Sequence, residues 1–105
     1  MRKNVKITVL RRIKPKDVFG DDIPSASTLG GEDACPRFTD GQEFIVEETA
    51  VPPAGFCGWA YADIQRDIIL LSFGGNFPWM KREGFQIACC TDGMRPVIFK
   101  LERLD

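Results

Sequence analysis

Between positions 57 and 73 the apolar residues Cys57, Tyr61, Ile64, Ile68 and Leu71 fall at alternating steps of four and three, the repeat of one helix face. Trp59, Ile69, Leu70 and Phe73 widen that stripe, which predicts a helix buried over most of its girth. Asp63, Gln65, Arg66 and Asp67 are left as its wet side. Pro52, Pro53 and Gly55 break the chain before it, and Gly74-Gly75 is a natural stop, because glycine enters the left-handed conformation without steric penalty.

The apolar patterns on either side of this helix have the period of strands. Val5, Ile7 and Val9 alternate with Lys6 and Thr8, the mark of a half-buried strand. A second strand is expected over 42–48, with Phe44 and Val46 on one face and Ile45 needing cover on the other. Residues 85–90 and 97–103 flank an Asp92-Gly93 turn and predict a hairpin. Its first strand presents Phe85, Ile87 and Cys89 on one face, and its second presents Val97, Phe99 and Leu101. The expected fold is therefore α+β: a small twisted antiparallel sheet, partly rolled, one main buried helix and a C-terminal β-hairpin. Between the first two strands, 14–40 collects Pro15, Gly20, Pro24, Gly30, Gly31 and Pro36, a loop long enough to be functional or mobile in part. At 105 residues the chain has the length of one domain.

Composition narrows the chemistry. There is no histidine, which excludes imidazole bases, Ser-His and Cys-His pairs and histidine metal ligands. A net charge of -1 gives no bulk attraction to nucleic acid or anionic membrane. The seven basic residues within the first 16 read as a solvated strand facing acidic loops, in preference to a nucleic-acid edge. The longest purely apolar run, Ile68-Ile-Leu-Leu71, is too short to cross a bilayer, and basic residues thread the N-terminal apolar ones. The expectation is a cytoplasmic protein without a membrane partner, whose cysteines are thiols, metal ligands or redox groups.

Four cysteines carry the main chemical interest. Cys57 falls at the start of the helix, where unpaired N–H groups and the helix dipole favour thiolate chemistry; packing as a small apolar residue is the competing role. Adjacent strand residues point to opposite faces, so Cys89 is expected in the core and Cys90 outside it, as the more reactive of the two. Cys35 lies on the long loop, either buried beside Phe38 or facing Cys57 and one of Cys89 and Cys90. Three or four converging thiolates would suit zinc or an iron–sulfur centre. The intervals of 21, 31 and 0 residues contain no Cys-x2-Cys knuckle, which weighs against a metal motif.

Phe56, Trp59, Phe77 and Trp79 flank the two ends of the helix and either close the core or line a pocket, with Asn76 and Arg95 as polar contacts. Asp63, Asp67 and Asp92 show no pairing that marks acid–base catalysis.

Cys35-Pro-x-Phe38, Gly41-Gln-Glu-Phe44, Gly55-Phe-Cys-x-Trp-Ala60, Gly74-Gly-Asn-Phe-Pro-Trp79 and Ala88-Cys-Cys-Thr-Asp-Gly93 followed by Arg95-Pro-Val97 resemble the motifs of one family. It comprises short cysteine-containing proteins of anaerobic bacteria and archaea, some of them domains attached to redox enzymes. The resemblance covers the first strand and nearly all of the chain after the long loop; 18–33 has no counterpart in it. It places all four cysteines within family motifs and implies a thiol-based role, with a redox enzyme or another protein as partner. Three readings stand: a thiol-based accessory or binding module, a ligand- or protein-interaction domain built on Trp59, Trp79, Asp92 and Arg95 with structural cysteines, and an enzyme with a Cys57 nucleophile activated without histidine.

Overall fold

The structure is a computed structural model that describes residues 2–24 and 33–105. Its elements run β1 (Val5–Arg12), α1 (Pro15–Phe19), β2 (Glu43–Val46), α2 (Gly58–Ser72), β3 (Phe85–Cys89) and β4 (Val97–Arg103). The strands form one open antiparallel sheet in the order β2-β1-β4-β3, not closed into a barrel, and α2 packs on one face. The expected α+β architecture, with its single main helix and its β3–β4 hairpin, is present.

Alternation does what the pattern predicts in β1 and β4. Ile7 and Val9 lie opposite Leu101 and Phe99 in the ladder, and all four, with Val5 and Val97, are fully buried. A bulge at Leu10 shifts the register before Arg11. The stripe Tyr61, Ile64, Ile68 and Leu71 of α2 covers this face, each large side chain contributing about 1.5–3 kcal/mol by burial. Gly74, with φ +91°, ends the helix.

Several expectations are corrected. Residues 15–19 of the predicted loop form the short helix α1, started by Pro15, whose fixed φ suits a first helical position. The mobility expected for part of this loop falls in part on 25–32, outside the described residues. β2 ends at Val46 because a turn over 47–50 closes with Ala50 N donating to Glu47 O at 2.8 Å. Ala50, at φ +60°, is held there by the Tyr61 hydroxyl donating to its carbonyl at 2.6 Å. Ile45 finds no cover and stays 44% exposed.

The girth of α2 is less buried than its sequence suggests, since Trp59, Ile69, Leu70 and Phe73 are exposed. Asp67, assigned to the wet side, is buried, with Gln86 Nε2 donating to its carboxylate at 3.4 Å. The face of β3 is reversed. Gln86 pairs with Leu101 and Ala88 with Phe99, so Gln86, Ala88 and Cys90 face the core, while Phe85, Ile87 and Cys89 lie on the open face. Phe85 is covered there by the Arg82 and Lys100 cations, 4.2 and 5.9 Å from its ring centre.

Two basic residues of the N-terminal strand pair with acids. Lys6 lies between Glu43 of β2 and Glu102 of β4, and Arg12 binds Asp40. Among the described residues no helix is long and apolar enough to cross a membrane.

Candidate functional site

Phe56 fixes the start of α2. Gly55 takes φ +79°, Phe56 N donates to Pro53 O, and the ring enters an aromatic cluster with Phe38, Phe44, Tyr61 and Phe99 at centroid distances of 4.8–5.9 Å. The next residue, Cys57, is thereby placed at the N-cap, extended and half-buried. Its side chain caps nothing, and the first turn carries no acid. The N–H groups of Gly58, Trp59 and Ala60 have no acceptor within the helix.

Cys35 arrives from the other side. Phe38 is buried in the same aromatic cluster, and Arg12 Nη1 donates to the Cys35 carbonyl at 3.2 Å. Arg12 Nε also donates to Asp40 at 3.1 Å, and this hydrogen bond holds the Asp40 carboxyl below its ordinary range. The loop is thus pinned at Cys35 and over the residues that follow it.

Cys90 follows the last residue of β3. Its N–H donates to Val97 O at 3.2 Å, and its Sγ accepts from Val97 N at 3.3 Å. It is 8% exposed. Burial pushes its thiol up from the usual value; the N–H groups of Asp92 and Val97 oppose that, and the charges of Asp92 and Cys35 add to it. Cys90 is therefore the protected thiol and Cys89 the exposed one, the reverse of the expected assignment. The reason is the register: Cys90 continues the core face of Gln86 and Ala88.

The three segments meet at one cavity of about 430 Å³. Cys35, Cys57 and Cys90 all line it, with Phe38, Ala60 and Val97 among its apolar walls. Trp59, 68% exposed, forms one side and is held in place: its Nε1 donates to Thr91 Oγ1 at 2.8 Å. Thr91 in turn donates through N–H and hydroxyl to Asp63 Oδ2 at 2.7 and 3.0 Å, which ties the first turns of α2 to the hairpin. Asp92 closes its own turn by accepting from the N–H groups of Met94 and Arg95. Its second oxygen lies 3.5 Å from Arg95 Nε, and Arg37 is a second arginine among the lining residues.

Of the sequence candidates, Cys35, Cys57, Cys90, Trp59, Asp92 and Arg95 come together here. Cys89 does not. Asn76, Phe77 and Trp79 belong to the opposite end of α2, where Asn76 Oδ1 accepts from Gly84 N, Phe77 is buried, and Trp79, 66% exposed, donates to Gln86. Arg37 and Thr91 were missing from the candidates. Each adjoins or nearly adjoins a cysteine in sequence, a signal that was present but unspecific. Among the described residues no group of three or more Cys, Asp or Glu side chains is placed to hold a metal ion, so the thiols share a cavity without forming a zinc or iron site in this arrangement. No family model matches the chain, and no curated protein or solved structure does.

Proposed function

We propose that the chain is a thiol-based accessory or binding module of redox physiology, working in the cytoplasm, where its thiols stay reduced. The observation that carries this reading is convergence. Three of the four cysteines, on a loop, at a helix N-cap and just past a strand, line one open cavity although 21 and 32 residues separate them. Their environments differ in a way that divides labour. Cys90 is buried and hydrogen-bonded, whereas Cys35 and Cys57 are half-buried. Cys57 is the residue we assign as the reacting thiol, since its sulfur caps nothing and it stands at the cavity's helix end. The resemblance to proteins of anaerobes, some joined to redox enzymes, agrees with this setting.

The test is alkylation of the native protein by a neutral reagent such as iodoacetamide, resolved by peptide mass spectrometry. Cys89, exposed on the opposite face of the sheet, is the internal reference. Cys57 is expected to react several-fold faster than Cys89, and Cys90 only on unfolding. Reaction of Cys57 no faster than that of Cys89 would sink the proposal.

The second reading, an interaction domain with structural cysteines, is favoured by one observation: Trp59 and Trp79 are exposed while Cys90 belongs to the core. On that reading Cys57 shows no excess reactivity, so the same measurement separates the two.

A further inference from the structure

We infer that the thiol cavity receives the disulfide of a carboxylate-bearing low-molecular-weight thiol, which forms a mixed disulfide with Cys57. The assignment rests on the thiol reading above and adds a ligand class to it. The residues that line the cavity include two arginines, Arg37 and Arg95, against one acid, Asp92, a balance of one net positive charge among residues that also include three cysteines. The Asp92 carboxylate is already engaged by two backbone N–H groups and by Arg95. Arg37 has no ion-pair partner among the described residues and is exposed. A carboxylate beside a sulfur electrophile would meet a planar cationic donor suited to bidentate binding. The uncapped N–H groups at the start of α2 add positive potential at the same end.

Size and shape agree. About 430 Å³ accommodates a small peptide-like or aromatic molecule, and falls within the range of small-ligand sites. The fixed Trp59 ring offers a flat apolar wall, and its hydrogen bond to Thr91 means that little ordering is lost on binding.

The chemistry balances without another reactant. The Cys57 thiolate attacks one sulfur of the disulfide RS–SR. A Cys57–SR bond forms as the S–S bond of the reagent breaks, and RS⁻ leaves with the electron pair and takes a proton from water. The Cys57 sulfur is oxidised and the departing thiol reduced. Cys90, only 8% exposed and hydrogen-bonded by Val97, does not compete for the first attack.

The test compares three disulfides on the native protein: the dianionic dithiobis(nitrobenzoate), the neutral dithiodipyridine and the dicationic cystamine. Rates at Cys57 and Cys89 are read separately by mass spectrometry after acid quenching. The Cys57-to-Cys89 rate ratio is expected to be about tenfold higher for the dianionic than for the dicationic reagent, the size of effect two exposed charge contacts can supply. The Arg37→Gln/Arg95→Gln variant should bring that difference within about threefold. Equal ratios for the anionic and cationic reagents, or first modification at Cys35, overturn the ligand assignment. If Cys57 outpaces Cys89 with the neutral reagent but shows no charge preference, only the ligand class fails. If it does not outpace Cys89 even there, the thiol reading fails as well.

Discussion

Replacing Arg103 by methionine should destabilise the domain while leaving its thiol cavity chemically intact. Arg103, near the end of β4, reaches across to the C-terminal end of α2. Nη1 donates to the carbonyls of Leu71 and Gly75 at 3.1 and 2.6 Å, and Nη2 to Asn76 Oδ1 at 2.9 Å. Two of these acceptors keep another partner: Leu71 O accepts from Gly74 N, and Asn76 Oδ1 from Gly84 N. Gly75 O is left to water. A charge-assisted bond of this kind contributes about 1.5–3 kcal/mol, and a cation at a helix C-terminus adds roughly 0.3–1 kcal/mol. About 1 kcal/mol of side-chain entropy is regained when the long side chain is freed, so the net loss should be about 2 kcal/mol. Spread over the unfolding entropy of a chain this size, that lowers Tm by roughly 9 °C. Arg103→Lys keeps the charge but not the fork, and should fall between wild type and Arg103→Met. Thermal and urea unfolding followed by far-UV circular dichroism measures both. The cavity lies at the other end of a 15-residue helix, about 22 Å away, so native alkylation of Cys57 well below Tm should be unchanged. A loss under about 0.5 kcal/mol for Arg103→Met, or an Arg103→Lys variant as stable as wild type, would refute the assignment of a forked clamp.

Gln86→Leu should cost about 1–3 kcal/mol despite placing an apolar residue in the core, because it strands the hydrogen-bonding groups it satisfied. Gln86 Oε1 accepts from Trp79 Nε1 and Ile87 N, and its amide is the donor nearest the buried Asp67; a urea midpoint equal to or above that of wild type would show that these bonds contribute nothing. Alkaline pH should weaken the fold, since burial raises both the Cys90 thiol and the Tyr61 phenol above their ordinary values. A raised folded-state value means that the stabilisation is fully present below the unfolded value and is lost as pH rises through the folded one. The alkaline fall in urea midpoint should be smaller in Cys90→Ala than in Cys89→Ala, and an equal fall in the two would place its origin elsewhere.

The parts of the fold that periodicity specifies strongly were legible. The four-three repeat of Tyr61, Ile64, Ile68 and Leu71 gave α2 to within a residue at each end, and Val5-Ile7-Val9 and Val97-Phe99-Leu101 gave the central strands with their faces. β3 was misread because both of its faces look plausible. Phe85, Ile87 and Cys89 are more hydrophobic than Gln86, Ala88 and Cys90, yet the core there is already occupied by Phe99, Leu101 and the helix. A small Ala88 opposite Phe99 fits that space, and a glutamine is accepted where Asp67 lies within reach. Register with a partner strand, set by the hairpin, overrides local hydrophobicity, and a one-residue slip inverts every side chain. That inversion carried the Cys89 and Cys90 roles with it. The meeting of Cys35 with Cys57 and Cys90 was one of two alternatives, because the path of a loop rich in glycine and proline is fixed by tertiary contacts such as Arg12 with the Cys35 carbonyl.

The two ends of α2 differ in a way that packing alone does not explain. At the C-terminus the orphan carbonyls are served by Arg103 and by a glycine turn. At the N-terminus the cap position is a cysteine that makes no capping bond, with no acid in the first turn. Serine, threonine or aspartate there would stabilise a helix by about 1 kcal/mol. The stabilisation is forgone at a helix end beside a cavity lined by two further cysteines and two arginines. Local departures from what stability favours tend to gather where a chain performs its function. An uncapped Cys57 facing that cavity is such a departure, and it weighs toward a thiol that reacts over one that only fills space.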